Sequence, residues 1–205
     1  MYKSLKDFAK FETEILKSKF IGFCAPIKNE EEAVKFLNEL SSSYKDATHI
    51  CYAYIADSIG NVIRFSDDGE PSGTAGLPIL DCIKNKNLKC VVVAVVRYFG
   101  GIKLGAGGLV RAYSKTCARV IEDAKICIYE DALKICTSCN YQQFKLLERI
   151  ITKIDAQIID RKYEDDIKLI IIIKKEKFEE FQRGLSDLFN DEAKLEILEN
   201  LYYSF

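Results

Sequence analysis

Asp67, Asp68 and Glu70 fall within four residues of one another, beside Gly69 and Pro71. Three carboxylates this close can hold a divalent ion or supply an acid/base pair, and His49, the chain's one histidine, is a candidate helper from a neighbouring strand. Turn chemistry accounts for the same residues without catalysis, because Asp-Gly and Glu-Pro form turns and Ser72 or Thr74 can cap a following helix. Downstream lies a second loop, containing Gly100, Gly101, Gly105, Gly107 and Gly108, with Arg97 just before it and Lys103 inside it. Arg111, Lys115 and Arg119 then step by four residues, the spacing of one helix face. A strand that delivers free amides into a helix N-terminus favours an anion, and the stepped cations extend that preference along a phosphate backbone. Tyr98, Phe99 and Tyr113 would add base stacking if their rings face solvent.

Between Asp81 and Glu122 there are eight Lys or Arg and no acid, in a chain whose formal net charge is −1. That local excess is more than a solvated helix face needs, although such faces are common. Familiar nucleotide motifs do not fit the glycine loop. Gly100 and Gly105 have the Walker A spacing, but Ala106-Gly107 stands where Lys-Ser/Thr is required, and position 110 is valine where a dinucleotide fingerprint needs glycine. No nucleophile carries a Ser/His/Asp or Cys/His signature. No catalytic residue is assigned, and neither a cofactor nor a bound metal is expected.

These loops sit in the glycine-rich part of the chain. Ten of the eleven glycines and all three prolines precede residue 109. The composition change predicts two domains, residues 1–130 and 131–205, joined without a glycine or proline linker. The first half reads as a strand over 17–27, then a helix over 30–40 capped by Asn29 with Glu32 three residues on. A hairpin follows (48–57 and 61–66), then a short helix over 77–84. The apolar run over 90–99 reads as a strand buried on both faces, and a helix follows over 107–123. The second half reads βαββαβ: strand 132–136, helix 141–153, strands 156–163 and 167–175, helix 177–189 and strand 193–198. The fold class is therefore α+β, its second domain ferredoxin-like.

Charged residues at 30% and apolar residues at 48% suit a globular protein, and no apolar run is long enough to span a bilayer. The opening MYKSLKDFAKFETEI has no secretory apolar core, so a cytoplasmic location with reduced thiols is expected for the eight cysteines. Cys136 and Cys139, in CTSC, have the spacing of a redox dithiol; a zinc site would need a second pair. Cys24, Cys51, Cys82, Cys90, Cys117 and Cys127 read as small core residues.

With RFSDDGEPSGTAGLPIL followed by VVRYFGGIKLGAGGLVRAYS, the chain resembles the IMPACT/YigZ family, and KSKFIGF and ATHICYAY fit the same pattern. The resemblance implies an N-terminal α/β domain like the second domain of ribosomal protein S-five. It also implies a C-terminal domain similar to the end domain of elongation factor G. Both relatives work on RNA. The resemblance thus favours a nucleic-acid-binding or ribosome-associated protein linked to translation, with RNA preferred over DNA and no membrane partner. The alternative is a metal-dependent hydrolase or phosphoryl-transfer enzyme, which requires the acidic and basic loops to meet in one pocket.

Overall fold

A computed structural model describes residues 1–189 and 194–205, in two units, Tyr2–Cys127 and Ile128–Phe205, the second also holding Met1. In the first unit β1 (Tyr2–Leu5), β2 (Ala9–Ile15), β3 (Ser18–Pro26), α1 (Glu30–Ser43), β4 (His49–Ile55), β5 (Ile63–Ser66), α2 (Gly76–Asn85), β6 (Val91–Tyr98) and α3 (Gly105–Asp123) follow one another. β2 to β6 form an antiparallel sheet in the order β2-β3-β6-β4-β5. β6 is its centre, and its composition explains why. Val91, Val93 and Val95 pack into the core shared with α2 and α3, while Val92, Ala94 and Val96 pack on the other side with α1. A strand covered on both faces can be apolar at every position, as the unbroken run predicts. The same alternation sends Arg97 toward the α2/α3 side, where it is 5% exposed.

Asn29 caps α1 by accepting from the Glu32 amide, as its spacing predicts, and Glu32 returns a carboxylate oxygen to the Lys28 amide. α2 starts differently. Ala75 is its N-cap residue and carries no capping side chain, so neither Ser72 nor Thr74 caps it. β1 and β2 lie in a segment for which the sequence predicts no strand. β2 turns into β3 through Leu16 and Lys17, both at positive φ (47° and 62°), the backbone a two-residue hairpin needs.

Gly100 packs directly on that hairpin turn. A Cβ at position 100 would lie 1.9 Å from the Lys17 carbonyl oxygen and 2.0 Å from its carbon. Backbone cannot yield as a side-chain tip can. Gly100→Ala is therefore expected to cost about 3 kcal/mol of unfolding free energy or to displace the turn, measured by urea titration against wild type. A loss below about 0.5 kcal/mol would show that the turn accommodates the methyl group.

β7 (Ile126–Cys139) carries the chain across the division without a glycine or proline. It is followed by α4 (Tyr141–Lys153), β8 (Gln157–Tyr163), β9 (Ile167–Lys174), a short 3-10 turn, α5 (Phe178–Phe189) and β10 (Leu195–Tyr203). Ala193, where the last predicted strand starts, lies outside the described residues. The antiparallel strand order β10-β7-β9-β8 and the core of Leu133, Ile135, Leu169, Ile171, Leu147, Phe181 and Leu185 are those of a ferredoxin-like βαββαβ unit. Asn140 and Gln143 form a reciprocal capping box at the start of α4. Cys139 lies in this core, whereas Cys136, three residues earlier on the same strand, points to the opposite face. The CTSC pair therefore does not form a dithiol.

Candidate functional site

Glu70 is the hub of the acidic loop. It is 7% exposed, and its Oε1 accepts from Arg97 Nη1 at 2.6 Å and from the Tyr113 hydroxyl at 2.7 Å. One carboxylate thus ties together a loop, β6 and α3. Arg97 Nη2 reaches Ser18 Oγ at 3.4 Å, the guanidinium lies over Phe20 and Phe99, and its Nε is buried without a partner among the described residues. Tyr113 is fully buried, edge-on to Phe20 with ring centroids 5.4 Å apart. Burial raises its hydroxyl far above the ordinary tyrosine range, so it stays protonated and donates to Glu70. Cys51 gives its thiol hydrogen to the Asp67 carbonyl at 3.0 Å and lies 3.4 Å from the Tyr113 oxygen; burial pushes it up to about 12.

His49 is the cross-strand neighbour of Arg97, which places it beside this network. Its Nδ1 lies 2.6 Å from the Asp68 carbonyl, an acceptor only, so Nδ1 carries the proton and Nε2 faces Glu70 Oε2 at 4.0 Å. Asp68 itself, at φ 42°, accepts the Ile50 amide at 2.6 Å. The structure therefore does gather His49, Asp68 and Glu70, as the sequence suggests, but engages them in holding the loop against β4 and β6. Among the described residues no group of three or more His, Cys, Asp or Glu could hold a metal ion.

Asp67 closes the loop from inside. Its two carboxylate oxygens accept the amides of Gly73 (2.9 Å), Ala75 (3.0 Å) and Gly76 (2.8 Å), so it serves as the cap that α2 lacks locally. Burial alone would raise its pKa, but the three amides outweigh burial and hold it below the usual carboxylate range. A depressed folded-state pKa means a stabilisation present in full above the unfolded value near 3.8 and lost as pH falls through the folded value. Asp67→Ala should cost about 1–3 kcal/mol at neutral pH, and its gap to wild type should shrink as denaturation curves are taken from about pH 7 toward 3. A gap that does not change with pH would show that the carboxylate charge contributes nothing.

The glycine loop leads into α3 at Leu104, whose side chain caps nothing, and the amides of the first turn, at Gly105, Ala106 and Gly107, belong to exposed residues. Gly101 and Gly105 take positive φ (85° and 70°), and a Cβ on Gly108 would press Leu104 at 3.0 Å. Gly107 is different. A Cβ there would meet only the tip of Arg111 at 3.9 Å, so packing does not require glycine. Lys103, Arg111 and Lys115 are exposed, and none has an acid within ion-pair distance among the described residues. Two cations assigned to phosphate from sequence are engaged otherwise. Arg97 is buried against Glu70, and Arg119 pairs with Glu122 and Asp123 at 3.6 Å each, so three-dimensional neighbours neutralise what reads as an acid-free stretch. Of the three stacking candidates only Phe99, 46% exposed, faces solvent well; Tyr113 is buried and Tyr98 donates to Asp46.

Arg111, Lys115 and Arg119 are exposed, while Tyr113, Cys117 and Val120 point into the core, so the cationic stripe and the Glu70 network lie on opposite faces of α3. Among the described residues the basic stripe of α3 therefore shares no pocket with Glu70, and of the basic set Arg97 alone meets the acidic loop, as a buried ion pair.

A two-domain α+β chain whose first domain presents a glycine loop and an uncapped helix start, and whose second is ferredoxin-like, defines a class that the comparisons make specific. Residues 16–121 match the Impact N-terminal domain, and residues 137–192 match a domain of unknown function, DUF1949. The chain belongs to the IMPACT family. It is 31% identical over 195 residues to the IMPACT family member YvyE of Bacillus subtilis, covering 95% of this chain and 89% of that one. It is 32% identical over 188 residues to the IMPACT family member YigZ of Escherichia coli, covering 91% and 92%. A solved structure described as "an hypothetical protein" superposes with a TM-score of 0.64 at 30% identity, over 97% of each chain. No helix among the described residues is long and apolar enough to cross a membrane.

Proposed function

We propose that this protein binds RNA, in the cytoplasm and in connection with translation, through Lys103, Arg111, Lys115 and the first turn of α3. The observation that carries the reading is Gly107. A glycine inside a helix costs about 1 kcal/mol relative to alanine, and here neither packing nor φ calls for it. What it secures is close approach to main-chain amides at the positive end of a 19-residue helix, beside three cations without acidic partners among the described residues. A phosphate fits that surface, and Arg111 and Lys115, one turn apart, suit successive phosphates of a strand.

The test is equilibrium binding of the purified protein to short single-stranded and structured RNA across a salt series, with matched DNA and a polyanion as controls. Salt-dependent binding that favours RNA supports the reading. No binding at low salt, or equal affinity for the polyanion, overturns it.

A further inference from the structure

Phe99 opens the glycine loop with its ring 46% exposed. Its backbone is fixed on both sides. The Phe99 amide donates to Thr48 Oγ1 at 3.0 Å, and the next amide, of Gly100, donates to Ser18 Oγ at 3.2 Å beside the turn on which Gly100 packs. Beneath the ring lies a buried charge: the guanidinium carbon of Arg97 is 5.5 Å from the Phe99 centroid and 5.4 Å from that of Phe20, which is fully buried. One face of Phe99 is therefore taken by a cation, and its exposed area belongs to the opposite face and the rim. We propose that this outer face stacks one unpaired base of the RNA strand whose phosphates meet Lys103, Arg111 and Lys115, with purines preferred over pyrimidines. This specificity rests on the RNA-binding reading and adds to it a base contact.

A ring anchored through two backbone hydrogen bonds loses little freedom when a base covers it, so the gain from stacking is retained. The cation under the inner face draws π-electron density inward, which makes the outer face less negative and favours a large, electron-rich partner. Purines offer more overlap and more density than pyrimidines. Phe99 and Gly105 are six positions apart, which keeps the ring within roughly 20 Å of the first turn of α3, inside the footprint of a single-strand site. The support beneath the ring is also tied to α3, because Arg97 and Tyr113 donate to the same Glu70 oxygen. Lys103, exposed and without an acidic partner among the described residues, favours a polyanion over an apolar protein surface at this ring. In a duplex the bases are already stacked on their neighbours, so only an unpaired strand can use Phe99.

The experiment compares three strands of equal length, and so of equal phosphate number: an oligouridylate carrying one central adenosine, an all-uridine strand and an abasic strand. Wild type should bind the adenosine strand best and the abasic strand about tenfold more weakly. Phe99→Leu keeps an apolar cover on Arg97 but has no π-face. It should bind all three strands alike, near the wild-type abasic value, with the salt slope unchanged because no charge is removed. Phe99→Trp should restore the order of the strands. The chain contains no tryptophan, so this indole reports alone, and its fluorescence should be quenched by the adenosine strand and not by the abasic one. Annealing a complementary strand should reverse the quenching.

Equal binding of the three strands by wild type, full base preference in Phe99→Leu, or an unquenched indole at saturation overturns the proposal. Where salt-dependent binding persists in those cases, the phosphate reading stands without the stacked base; where no strand binds at low salt, both fall. Should Phe99→Leu fail to fold, the strand order in wild type and the quenching of Phe99→Trp decide.

Discussion

Glu70→Ala is expected to lower the unfolding free energy by about 3–5 kcal/mol, the range for breaking a buried ion pair by removing one partner. The loss exceeds that of an ordinary hydrogen bond because of what stays behind. Arg97, 5% exposed and with Nε already unpartnered, would keep its charge with only Ser18 at 3.4 Å, and the Tyr113 hydroxyl would lose its acceptor. Glu70→Gln should fall between wild type and alanine, since an amide oxygen still accepts from Tyr113 but no longer balances the guanidinium. The double variant Glu70→Ala/Arg97→Leu should recover much of the loss, because removing both charges ends the desolvation penalty. Urea denaturation of the four proteins measures this. A loss below about 1 kcal/mol in Glu70→Ala would mean that water reaches Arg97 once the carboxylate is gone, and that the network does not hold the loop.

Local periodicity made much of this fold legible. Val91 to Val96 read as a doubly covered strand because α1 and α2/α3 do cover it, and Asn29 with Glu32 read as a helix start because both bonds are made within four residues. The exposed stripe of Arg111, Lys115 and Arg119 was visible for the same reason. What stayed hidden depends on partners far along the chain. Arg97 looks like a free cation until Glu70, 27 residues earlier, is folded beneath it. Asp67 looks like a metal ligand until the loop brings Gly73, Ala75 and Gly76 amides to its oxygens. Leu16 and Lys17 carry no turn signal, because the φ they adopt is one that glycine or asparagine ordinarily supplies, and Gly100 appears only as loop glycine until it packs on their turn. The cysteines make the same point in reverse. CTSC has redox spacing in sequence, but a strand places residues three apart on opposite faces.

The combined variant Lys103→Ala/Arg111→Ala/Lys115→Ala should weaken RNA binding by about a hundredfold at 0.1 M salt. Each phosphate contact on a single strand contributes about 0.7 to the slope of log affinity against log salt, so losing three should flatten the slope by about 2. The electrostatic term fades toward 1 M, where the two proteins should converge, and a slope difference of about 2 over that tenfold range is a hundredfold. Stability should hardly change, because all three side chains are exposed and form no ion pair among the described residues. Arg119→Ala provides the internal comparison. Glu122 and Asp123 already offset that cation, so its removal should alter the slope by less than any of the other three. If the three-residue variant binds with wild-type affinity and slope, the phosphate path does not run over this face of α3. If Arg119→Ala instead carries the larger effect, the pairing with Glu122 and Asp123 opens on binding, and the contact surface is centred toward the C-terminal end of the helix.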